Sequence, residues 1–143
     1  MDRIGIDDIK VLSDKVRING FGVTAILGLF KGQVAINELP GGRKKIVLRD
    51  VSNQIKTIVI DCEGEEIKSM TFSGSIDITF KEFSDKYGEY RETYSRYDDL
   101  YFYFFNEAKS YGDYTVSFYQ PLRHQVNTSS DTNHITNLTL SWL

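Results

Sequence analysis

Few residues in this sequence combine reactive side chains with a spacing that chemistry could use. Cys62 stands between Asp61 and Glu63, and flanking carboxylates raise a thiol pKa and blunt its nucleophilicity. His124 and His134 are the two histidines, with Asp131 between them. Imidazole beside carboxylate suits a general base or a metal ligand. Their Asn, Thr and Ser neighbours have the composition of a solvated loop, and that stretch offers no third and fourth ligand. A Cys62–His134 pair has no sequence signature of its own. Glu65-Glu66 and Asp98-Asp99 are carboxylate pairs, but glycoside hydrolysis needs carboxyls facing across a cleft, which adjacency does not supply. These patterns read as turns and loops, so the expectation is a non-enzymatic protein with no catalytic residue, metal or cofactor.

Two glycine motifs carry anion-binding chemistry in other contexts. Gly20-Phe21-Gly22-Val23-Thr24-Ala25 matches the G-x-G-x-x-A fingerprint that seats a dinucleotide pyrophosphate at a helix N-terminus inside a βαβ unit. Nothing downstream alternates strand with helix, so glycines easing a bulge in a twisted strand explain it better. Gly41-Gly42-Arg43-Lys44-Lys45 reads as a basic hairpin tip. Three charges in a nearly neutral chain make no nucleic-acid footprint. Asn127-Thr128-Ser129 and Asn137-Leu138-Thr139 are formal glycosylation sequons, of little weight in a sequence without a secretion signal.

The strongest compositional signal is tyrosine. All nine tyrosines lie between Tyr87 and Tyr119. Tyr87, Tyr90, Tyr94, Tyr97 and Tyr101 are separated by steps of three and four, the period of a helix. Ser84 is the expected N-cap, with Asp85 favouring the positive end of the helix dipole; Gly88 opposes the helix. The expectation is therefore one short helix or long ordered loop around residues 84–97. One reading packs the stripe on a sheet; the other makes it a recognition surface, because tyrosine offers stiff area and a polar tip at low entropic cost. Burying all nine would demand many hydroxyl partners.

The candidate binding residues are accordingly Tyr87, Tyr90, Arg91, Tyr94, Tyr97, Asp98, Asp99, Tyr111 and Tyr114. From Phe83 to Tyr119 there are four basic and seven acidic residues, a balance that repels phosphate and disfavours nucleic acid. It suits a basic protein partner, with self-association or a carbohydrate as the other readings.

The elements that position these residues read mostly as strands. Ile9–Ile18 is rich in β-branched residues, and Val23–Ile36 is apolar enough for one long strand or a buried pair. Leu39-Pro40-Gly41-Gly42 is a turn signal that joins residues 33–38 and 44–50 in a hairpin. Ile55–Asp61, then Ile67–Lys81 with Ile76, Ile78 and Phe80 on one face, continue the pattern. Leu100–Phe105, Tyr114–Tyr119 and a final alternation of Leu138, Leu140 and Trp142 complete it. About eight short strands predict an all-β fold, one β-rich domain over residues 1–143 arranged as a sandwich or jelly roll.

With 143 residues, a net charge of −3 and a single cysteine, the chain suits one domain without an internal disulfide framework. The N-terminus lacks the basic start and apolar core of a signal peptide. The uncharged stretch from Ile18 to Phe30 is 13 residues, short of the ~20 that span a bilayer. The expected setting is the cytoplasm or a virion, away from membranes.

Overall fold

The computed structural model describes residues 1–17, 20, 22–87, 90–95, 100–105, 114–121 and 134–142. Eight strands form one antiparallel sheet: β1 (Gln33–Leu39), β2 (Arg43–Arg49), β3 (Ile55–Glu63), β4 (Glu66–Gly74), β5 (Tyr90–Ser95), β6 (Leu100–Phe105), β7 (Tyr114–Pro121) and β8 (Asn137–Trp142). Their order is β1-β2-β3-β4-β8-β7-β6-β5. The all-β expectation holds, whereas the pairing joins all eight strands in one sheet and does not divide them between the two sheets of a sandwich or jelly roll.

The helical content exceeds the one helix expected. Helix α1 (Ile6–Arg17) and helix α2 (Val23–Leu27) occupy segments read from sequence as strands, and α3 spans Phe80–Tyr87. In α1 the residues that enter the core are Ile9, Leu12 and Ser13, while Lys10 and Val11 face solvent. That is a stripe at i, i+3 and i+4, which overrides the β-branched composition. Asp8 Oδ2 accepts a 2.8 Å hydrogen bond from Gly5 N–H at the start of α1. Two acidic residues in the first turn, Asp7 and Asp8, complement the helix dipole.

Helix α3 begins earlier than Ser84, the N-cap expected from sequence. Thr79 and Glu82 form a capping box: Glu82 N–H donates to Thr79 Oγ1, and Thr79 N–H donates to Glu82 Oε1, both at 3.1 Å. Phe83 is fully buried, and Lys81 pairs with Asp85 one turn later at 2.6 Å. The helix thus ends at Tyr87, and residues 90–95, placed by their spacing in a helix or loop, form β5. Residues 76–79 also depart from the expected strand. Ile76 and Ile78 are buried as the alternation requires, but the segment joins the fold through backbone bonds to Ile135 and isolated bridges at Asp77 and Thr79, not as a strand of the sheet, and Phe80 already belongs to α3.

The hairpin of β1 and β2 matches the expected pairing, with Gln33 opposite Arg49 and Leu39 opposite Arg43. A 3-10 turn at Pro40–Gly42 joins them, with Gly41 at φ 80° and Gly42 at φ 75°; proline presets the first dihedral and glycine accepts the positive ones.

Bulges explain why the inward pattern of β3 and β4 skips. Ile55 faces Gly74 while Thr57 faces Ser73, which leaves Lys56 as the extra residue of β3. Asp61 faces Ser69 while Cys62 faces Ile67, which leaves Lys68 as the extra residue of β4. An inserted residue reverses the parity of alternation. The buried residues therefore run Ile55, Ile58, Ile60 and Cys62 on β3, and Ile67, Met70 and Phe72 on β4.

The core lies between the helices and one face of this sheet. Ile4, Ile9, Leu12, Val23, Ile26 and Phe30 pack against Ile46, Leu48, Ile58, Ile60, Met70, Phe72, Leu138, Leu140 and Trp142. Phe30 and Phe72 meet at a ring-centroid distance of 5.9 Å. Trp142 Nε1–H donates to the buried Ser13 Oγ at 3.1 Å, fixing α1 to β8. On the opposite face, small polar side chains are hydrogen-bonded across strands: Thr71 with Thr139, Ser73 with Asn137, and Ser69 with Asp61.

Candidate functional site

Strand pairing places three of the nine candidate residues, Tyr90, Arg91 and Tyr94, on β5, the last strand of the sheet order. Two cross-strand rows, built from directly paired positions, run through all eight strands. One row is Ile36, Ile46, Ile60, Met70, Leu140, Val116, Phe105 and Tyr90. The next row is Ala35, Val47, Val59, Thr71, Thr139, Ser117, Phe104 and Arg91. Tyr90 and Arg91 thus terminate adjacent rows of opposite parity on β5. Tyr94 is opposite Tyr101, which in turn is opposite Gln120.

Tyr90, Arg91 and Tyr94 are brought together on this last strand, and Tyr87 ends the helix that leads into it. Tyr114 begins β7, opposite Trp142 and separated from β5 by β6. Tyr97, Asp98, Asp99 and Tyr111 lie outside the described residues, as does His124.

Among the described residues, Cys62, His134 and Glu66 are each engaged in structural contacts. Cys62 is buried, and its thiol donates to the Lys44 carbonyl at 3.7 Å. Burial pushes the thiol pKa up, Lys44 pulls it down, and Glu65 and Asp61 add to the rise. Desolvation therefore outweighs the flanking charges that the sequence pointed to. The linkage has a definite sign. The folded thiol ionises at higher pH than the unfolded one, so its contribution to stability is full below the ordinary thiol value. That contribution declines as pH rises from there through the folded value. Urea denaturation from neutral to alkaline pH should show a loss of stability that is shallower in Cys62→Ala; an identical slope in both proteins contradicts this assignment.

His134 is exposed, and its Nδ1–H donates to the Ile76 carbonyl at 3.0 Å, which ties the ring to backbone at the start of the β8 segment. Among the described residues no group of three or more His, Cys, Asp or Glu side chains is arranged to hold a metal ion. Glu66, at the β3–β4 turn, pairs with Lys68 at 3.1 Å. Asn137 of the second sequon lies in β8 and accepts from Ser73 Oγ. The G-x-G-x-x-A segment follows helix α1, not a strand, and opens a helix of five residues; the strand–turn–helix geometry of the fingerprint is not formed.

An open recess of about 820 Å³ lies on another part of the surface, lined by Asp2, Arg3, Asp50, Ser52, Gln54 and Lys56 among others. Ser52 Oγ accepts from Ile55 N–H at 2.9 Å and donates to the Asp2 carbonyl, and Arg3 pairs with Asp77 at 3.3 Å. These contacts anchor the N-terminal segment, and the recess has both charge signs.

Sequence reasoning missed the surface at the other end of the sheet. Every residue of β1 is exposed, including Val34 and Ile36, although the apolar run 23–36 suggested burial. The signal available was the polar spacing of Gln33, Asn37 and Glu38, which is denser than a buried strand carries.

No protein-family model matches the chain, and no curated protein does. Among solved structures, it is similar to a cysteine-rich secretory protein from Staphylococcus aureus subsp. aureus Mu50, with a TM-score of 0.51 and 12% sequence identity. The match covers 85% of this chain and 43% of that one, so the chain spans less than half the length of this structural neighbour. At such identity the likeness is one of fold. No helix among the described residues is long and apolar enough to cross a membrane.

Proposed function

We propose that the chain is a protein-interaction or assembly module, without enzymatic activity, that engages a basic protein through its acidic, tyrosine-rich stretch. The observation that carries this reading is the position of Tyr90, Arg91 and Tyr94 on β5, the terminal strand of the sheet order. A terminal strand keeps one row of backbone donors and acceptors outside the sheet's own pairing, and a partner strand uses such a row readily. Tyrosines on that strand would add contact area and hydroxyl tips at low entropic cost. The surrounding excess of acidic over basic residues between Phe83 and Tyr119 would steer a cationic partner towards it.

The test places a photo-crosslinking amino acid at position 94 and identifies what it captures in cells. The expected product contains a basic protein, and its yield falls as salt rises because exposed charges are screened. Capture should disappear in the Tyr90→Ala/Glu92→Lys double variant. Salt-insensitive binding to a glycan array, with no protein captured, overturns the reading in favour of a carbohydrate-binding module.

A further inference from the structure

At the opposite end of the sheet, β1 has the features of a strand built for pairing. Of the large apolar residues exposed among the described residues, Val34, Ile36 and Leu39 lie on this one strand, at 51%, 57% and 39% exposure. Val34 pairs with Leu48 and Ile36 with Ile46, and both partners are almost fully buried. Val34 and Ile36 therefore prolong two rows of the hydrophobic core beyond the point where the helices cover it. Edge strands are ordinarily blunted by lysine, proline, bulges or short length. Strand β1 is seven residues long, has no register shift against β2, and carries neither lysine nor proline within it.

From this we infer that β1 is a homodimerisation edge: two copies of the chain pair antiparallel through β1 about a twofold axis at Ala35, joining two sheets into one. The self-complementarity of the strand selects the occupant and the register. With Ala35 opposite its own copy, Val34 of each chain meets Ile36 of the other, so the exposed core-side residues cover each other. On the other face Gln33 meets Asn37, which keeps polar groups together. Shifting the axis to Ile36 would set Val34 against Glu38, placing a carboxylate in the apolar row. This surface is distinct from the tyrosine-bearing edge, and the inference goes beyond the function proposed above.

The test is sedimentation equilibrium, with dimerisation expected between ~1 and ~100 μM. Ile36→Lys should keep the circular dichroism of the wild type, because the side chain is exposed, and weaken the dimer by ~100-fold or more through a desolvated charge in both halves of the interface. Oxidation should crosslink Ala35→Cys across the axis. Asn37→Cys, whose two copies stand about 13 Å apart in this register by the rise of a strand, should not crosslink. Native Cys62 is buried, so the wild type serves as the uncrosslinked control. A protein that stays monomeric throughout this range overturns the inference and leaves the edge to a foreign strand. So does a dimer indifferent to Ile36→Lys, or equal crosslinking at positions 35 and 37. Loss of the dimer in Tyr90→Ala/Tyr94→Ala, with Ile36→Lys unaffected, would likewise overturn it by moving self-association to β5.

Discussion

Ending the chain after Ile135 should abolish folding: the shortened protein is expected to show no cooperative thermal transition and no near-ultraviolet circular dichroism. The reason is the place of β8 in the sheet. It pairs with β4 from Ser69–Ser141 to Ser73–Asn137, and with β7 from Tyr114–Trp142 to Ser117–Thr139. In the strand order it is the link between the β1–β4 half and the β5–β7 half. Leu138 and Leu140 are fully buried and Trp142 nearly so. At ~1.5–3 kcal/mol for each apolar side chain buried, their loss alone removes roughly 5–9 kcal/mol, against a net stability of ~5–15 kcal/mol for an ordinary domain. Losing both ladders of backbone hydrogen bonds adds to this. A smaller change isolates one component: Trp142→Phe keeps most of the ring but strands the buried Ser13 hydroxyl, which should cost about 1–3 kcal/mol. A cooperative transition in the truncated chain would contradict the role assigned to β8.

Replacing Gly74 by alanine should destabilise the protein by about 2–6 kcal/mol, the sum of backbone strain and overpacking. Gly74 adopts φ 145° where β4 passes the Lys56 bulge. A Cβ there would stand 2.2 Å from the Gln54 carbonyl oxygen and 2.9 Å from the Lys56 nitrogen. Both obstacles are backbone, so no rotamer change relieves them. The same turn is fastened by Ser75 N–H donating to that Gln54 carbonyl at 2.8 Å and by Gly74 N–H donating to Thr136 at 3.0 Å. Gly41→Ala is the comparison. Its φ is 80°, but nothing lies within 4 Å of the added carbon, so only the left-handed strain of about 1–2 kcal/mol applies. Chemical denaturation measures both, and equal losses would show that the close approach at Gly74 has no energetic weight.

Where local signals were strong, the sequence announced its elements. Leu39-Pro40-Gly41-Gly42 fixed the first hairpin, and the alternation of Leu138, Leu140 and Trp142 marked β8 with its buried face. The errors arose where two periods coincide or where composition outweighs spacing. Tyr90 and Tyr94 are four residues apart, an interval that returns to one face in a strand as it does in a helix. The neighbouring interval, Tyr87 to Tyr90, crosses the boundary between α3 and β5, so the apparent helical period spans two different elements. In α1 the interval from Ile9 to Leu12 was the informative feature, and the valines and isoleucines around it misdirected the reading. For α3 the useful signal was Thr79 followed three residues later by Glu82, hidden inside an alternation that ran as far as Phe80. The two bulges left no mark in sequence, because an inserted lysine in a strand resembles any solvent-facing residue. As for the candidate surface, sequence located the tyrosines and their charge, but only pairing showed that three of the nine named positions share a terminal strand.

The position of β8 also governs the order of events during synthesis. Strands β1 to β4 are joined by short turns and can zip together as successive hairpins while translation continues. Strand β8 emerges from the ribosome after both of its neighbours, and the Thr71–Thr139 contact spans 68 residues. Until it arrives, β4 and β7 each present an unpaired edge, and the loop to be closed is among the longest in the fold. Insertion of β8 should therefore be the late, slow step of folding. The nascent chain has its greatest exposure to mispairing just before that insertion.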